Sequence, residues 1–143
     1  MAVLTDIIVA PTTEVPAIIA EWPGTKRWPV FETTGLDLLV LADLALALKR
    51  PIEATAIDEQ TPAASADESE GPWLYVLPGG LRDSIAALGS SDIPAVADAW
   101  AKGEEAENRG LTTDIAERLL AQIQKLAAQA RAEDKPLLLW MAM

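Results

Sequence analysis

The chain has 143 residues, half of them apolar, with 22 acidic side chains against 11 basic ones and a formal net charge of −11. That length suits one domain spanning 1–143 with a real core, and that charge repels nucleic-acid phosphates and anionic lipid surfaces, so neither nucleic acid nor membrane is an expected partner. Cysteine and histidine are absent, which excludes disulfides, thiol nucleophiles, Ser-His-Asp catalysis and zinc sites built from Cys or His.

Met1–Asp6 lacks the basic stretch and long apolar run of an export signal, so a cytoplasmic protein is expected. Val3–Ala10 mixes β-branched residues with Leu up to Pro11 and predicts a strand. Thr12 or Thr13 caps a short helix to about Trp22; Pro16 falls in its first turn, where a missing N–H costs little, and Pro23-Gly24 ends it. Trp22-Pro23 and Trp28-Pro29 then frame Lys26-Arg27 in an ordered loop that enters a short strand at Val30–Thr33. Trp22, Lys26, Arg27 and Trp28 make a candidate aromatic and cationic partner-binding surface. The blander alternative is that the tryptophans lid the core while the cations face water, the commoner fate of tryptophan.

Leu36–Leu48 holds only two polar residues, Asp37 and Asp43, among Leu, Ala and Val. Leu and Ala are strong helix formers, and a helix apolar on nearly every side must be covered on nearly every side. At about 20 Å it is too short to cross a bilayer core of about 30 Å. Thr33 or Thr34 is its expected cap and Arg50-Pro51 its stop. It is the expected central helix, and a charge at Leu39 or Leu44 is expected to prevent folding. From Ile52 to Gly71 the composition turns acidic and small, with Glu53, Asp58, Glu59, Asp67, Glu68 and Glu70 and no base. A mobile acidic loop is expected there, with a short turn of structure at Ala54–Ile57 and without the D-x-D-x-D-G spacing of a calcium site.

Trp73–Leu77 predicts a strand, and Pro78-Gly79-Gly80 a sharp turn rather than a phosphate loop, since no G-K-[ST] follows. Leu81–Leu88 is a short helix. Ile93, Val96, Ala97 and Trp100 form one apolar face on the next, which Gly103 ends. Glu104-Glu-Ala-Glu-Asn108 is an acidic connector, and Glu104, Glu105 and Glu107 are candidates to face a cationic partner. Thr112 or Thr113 caps the longest helix, striped by Ile115, Leu119, Ile123, Leu126 and Ala130 and running to about Glu133. Leu137–Met143 is apolar throughout, as in a strand covered on both faces. The whole predicts an α+β fold: a three- or four-stranded sheet with helices packed on it and helix 36–48 nearest the centre.

Three stretches together resemble a known pattern: Gly35-Leu-Asp-Leu-Leu with its helix; Glu70-Gly-Pro-Trp-Leu-Tyr-Val-Leu-Pro78 with Leu81–Leu88; and the last helix running into Lys135-Pro-Leu-Leu-Leu-Trp140. Their order is similar to that of the YfbM-like group of small uncharacterised bacterial proteins. The tryptophan usual in that group's central helix is absent; Val40 or Leu41 stands nearby. The resemblance implies bacterial origin and an α+β fold, and it implies no activity.

No catalytic set, metal site or cofactor is implied by any motif. Acid–base work, if any, falls to carboxylates, Lys or Tyr75 with moved pKa values. Asp43, inside the apolar helix, is either a functional carboxylate with a raised pKa or a structural one bonded to a loop or to Arg50 or Arg82. Two functions follow. The favoured one is a non-enzymatic binding module, monomeric or homodimeric, for a basic protein partner; an immunity-type inhibitor of a basic toxin is one version. The alternative is a carboxylate-dependent enzyme, metal-assisted in one form, using Asp43 or the acidic loop.

Overall fold

The computed structural model describes residues 3–24 and 27–143. The fold is α+β. Among the described residues five antiparallel strands form one open sheet in the order β2-β1-β5-β4-β3, where β1 is Leu4–Val9, β2 Val30–Thr34, β3 Ala64–Ser65, β4 Trp73–Val76 and β5 Leu137–Ala142. Seven α-helices among the described residues accompany it: α1 (Val15–Glu21), α2 (Leu38–Ala47), α3 (Pro51–Asp58), α4 (Gly79–Ala86), α5 (Ile93–Ala101), α6 (Glu104–Asn108) and α7 (Thr113–Ala132).

The sheet separates two cores. On one face Ile7, Val9, Leu137 and Leu139 meet α2 to α7, including Leu44, Trp100, Leu120 and Ile123. On the other, Ile8, Leu74, Leu138 and Trp140 meet Val15 and Ile18 of α1 and the rings of Trp22 and Trp28. Strand side chains alternate between faces, so a strand apolar at consecutive positions must be covered twice. β1 and β5 meet that condition and lie side by side, Leu4 opposite Ala142 and Val9 opposite Leu137.

The sheet has five strands rather than three or four. The additional strand, β3, is two residues long and lies within the stretch expected to be an acidic loop. That stretch also opens as helix α3. Pro51, expected as a stop, is instead the first helical residue, where its fixed φ suits the helix and its missing N–H costs nothing. Ala54 and Ile57 then bury against the main core.

The central helix is shorter than 36–48 and is capped by Asp37, not by Thr33 or Thr34, which close β2. Asp37 Oδ1 accepts from the Val40 amide at 3.1 Å. Gly35 makes the turn between β2 and α2 at φ +75°, a conformation that costs a side chain dearly. Nor is α2 covered all round: Leu39 is 43% and Leu46 55% exposed, while Leu41 and Leu44 are buried. Two further expectations change. Gly79-Gly80 opens helix α4 rather than forming a separate turn, and Glu104–Asn108 is a short helix rather than a connector. No helix among the described residues is long and apolar enough to cross a membrane.

Candidate functional site

Helix α1 covers only part of its face of the sheet. Beyond Trp22 a groove of about 550 Å³ lies against the strands. Its floor is one row across three strands. Glu32 of β2 lies opposite Asp6 of β1, and Asp6 lies opposite Trp140 of β5. Leu4 and Thr34, also opposite one another, form one end, and Pro23 and Gly24 form a wall. Directly opposed residues share a face, so both carboxylates belong to the groove side.

Asp6 is buried in the middle of a strand, and its bonds explain how it is tolerated. Its Oδ2 accepts from Trp22 Nε1 at 2.8 Å and its Oδ1 from the Thr33 amide at 3.3 Å. Asp6 and Glu32 each hold further contacts. Like charges facing each other across neighbouring strands are destabilising, so the pair favours donors and cations around it. Trp140 borders the same groove. Its Nε1 is buried and has no acceptor among the described residues. An N–H left in that state costs about 1–3 kcal/mol unless something supplies an acceptor.

The residues singled out in the sequence are scattered. Trp22 and Trp28 are 5% and 8% exposed and turn into the second core, so they form no aromatic surface. Arg27 is exposed, lies 4.6 Å from the centroid of the Trp28 ring, and pairs with Glu21 at 3.1 Å and Glu14 at 3.8 Å. Lys26 lies outside the described residues. Glu104, Glu105 and Glu107 sit on α6 in the helical layer, across the sheet from the groove.

Asp43 has a structural task. Its Oδ2 accepts from the amides of Glu105 and Ala106, both at 2.9 Å, so a side chain from α2 caps the N-terminus of α6. Gly103 makes room for it: a Cβ there would stand 2.6 Å from the Asp43 carboxyl carbon. The partners are a helix end and not Arg50 or Arg82. Arg50 pairs with Glu53 at 3.1 Å, and Arg82 donates to the Lys135 carbonyl at 2.9 Å. Arg109 holds Asp37, joining α2 to the loop after α6. Burial pushes the Tyr75 phenol further up from its ordinary value, away from neutrality and from acid–base work there. Among the described residues no three carboxylates are grouped to hold a metal ion.

The groove was missed in the sequence because its three floor residues come from positions 6, 32 and 140, and only strand register joins them. One signal was available: Asp6 is the lone charge in its strand, followed by the apolar run Ile7–Val9. No protein-family model matches the chain, and no curated protein or solved structure does either. The site therefore rests on its own geometry.

Proposed function

We propose that the chain is a non-enzymatic interaction module that holds a basic protein partner through the groove floored by Asp6 and Glu32. The observation that carries this reading is the opposed carboxylate pair in an open groove on a chain of net charge −11. Such a surface steers a cationic partner from a distance and holds it at short range. An immunity-type inhibitor of a basic toxin fits the same description. Asp43, on which an enzymatic reading leaned, already accepts two backbone amides, and that weighs toward a binding role.

The test is capture on the immobilised chain at low and high salt, with wild type and Glu32→Lys side by side. The expected result is a basic protein retained by wild type, released by salt and not retained by the variant. Equal retention by both, or a retained protein that salt does not release, contradicts the reading.

A further inference from the structure

Strand β2 is the longer of the two open edges of the sheet, five residues against two for β3. Its inward and outward backbone groups can be told apart. The Gly35 amide donates to the Val3 carbonyl at 2.8 Å and the Val9 amide to the Pro29 carbonyl at 2.9 Å. Hydrogen-bonded pairs alternate along an antiparallel ladder, so Phe31 and Thr33 turn their N–H and C=O toward β1. Val30, Glu32 and Thr34 turn theirs to the free edge. Glu32 and Thr34 also line the groove. The same residues thus offer a backbone template and a groove with the Glu32 carboxylate beside it.

We propose that an extended segment of a basic partner adds to the sheet along β2 and lays a lysine or arginine side chain against Glu32 at the rim of the groove. This inference rests on the binding function proposed above and names how the partner is held. A residue opposite Glu32 in an added strand projects onto the groove face, as Asp6 does from the other side. Strands lie about 5 Å apart, so a long cationic side chain on the added strand reaches the Glu32 carboxylate of its neighbour β2. Edge recognition of this kind takes affinity from main-chain hydrogen bonds and specificity from alternate side chains.

Charge selects the occupant. A second copy of this chain pairing antiparallel through β2 about Glu32 sets two glutamates opposite each other, on chains each carrying −11. A basic strand in the same place removes that repulsion.

The experiment uses the full chain and three short synthetic peptides. One alternates valine with lysine, one alternates valine with glutamate, and one is the lysine peptide N-methylated at every amide. The third keeps the charge and loses every backbone donor. Calorimetry is expected to show binding of the lysine peptide and none of the glutamate peptide. N-methylation, and separately Glu32→Lys in the chain, are each expected to weaken binding by at least about tenfold. Amide exchange at Glu32 and Thr34 is expected to slow by a similar factor on binding, with Phe31 and Thr33 changing less because they are already paired. If the methylated peptide binds as tightly as its parent, the edge proposal is overturned while the basic-partner function stands. If no lysine peptide binds, both fall. Should the chain alone sediment as a dimer with Glu32 and Thr34 protected, the edge belongs to a second copy and the proposal is wrong.

Discussion

Leu39 and Leu44 lie on one helix of leucines and alanines, and a charge at each meets different surroundings. Leu44 is wholly buried in the main core, so Leu44→Asp strands a carboxylate without a partner and is expected to abolish the folded state, at a cost of several kcal/mol. Leu39 is 43% exposed, and Leu39→Asp is expected to change stability by no more than about 1 kcal/mol. Thermal melts of the two variants separate these outcomes; equal loss in both contradicts the packing described. Composition could not make this distinction, because the helix has almost no polar face from which to read an orientation. Asp43 is the other residue whose role depended on distant sequence. Asp43→Ala removes the acceptor for two amides of α6 and is expected to cost about 1 kcal/mol by urea unfolding, with Asp43→Asn milder because an amide oxygen remains. No loss in Asp43→Ala argues that water caps α6 equally well.

Strand β5 and the junction of α5 with α7 show what the elements contribute. The apolar run at the C-terminus was legible as a covered strand, and it lies between β1 and β4 with both faces packed. Removing Leu138–Met143 divides the sheet and takes away three fully or nearly buried side chains, Leu138, Leu139 and Trp140. At about 1.5–3 kcal/mol each, that loss rivals a typical domain's whole stability of about 5–15 kcal/mol. The truncated chain is expected to show no cooperative unfolding transition at any concentration; a cooperative melt contradicts the core role of β5. Asp98 of α5 accepts from Lys102 at 2.9 Å and from Thr113, at the start of α7, at 3.2 Å. Chiefly through Lys102, its carboxyl is held below the usual aspartate range. With the folded pKa below the unfolded one, its contribution is complete above the unfolded value and is lost as pH falls through the folded value. Asp98→Asn is therefore expected to flatten the fall of stability on acidification through and below the ordinary aspartate range, measured by urea melts across pH. An unchanged slope contradicts this linkage. What the sequence concealed at this scale was α3 and β3. Their acids and small residues look like loop, and only Ala54 and Ile57, three apart, hint at the buried side of a helix turn.

At the scale of the whole molecule, the negative charge was plain in the composition, but its placement was not. Acids occur on α6, on the 67–70 turn and in the groove, and a count cannot rank them. The sheet ranks them. It brings residues 6, 32 and 140 into one row, leaves β2 at an open edge, and puts α6 on the opposite side. The strand alternation was legible, whereas the register and the order β2-β1-β5 depend on contacts between distant parts of the chain. The central claim is that this groove, rather than the overall charge, holds the basic partner. The most direct measurement compares the lysine peptide's affinity for Glu32→Lys and for Glu107→Lys, two substitutions that change the net charge equally at sites on opposite sides of the sheet, with thermal melts showing both variants folded. The account predicts at least about a tenfold loss for Glu32→Lys and less than about twofold for Glu107→Lys. Equal losses in the two variants would contradict it.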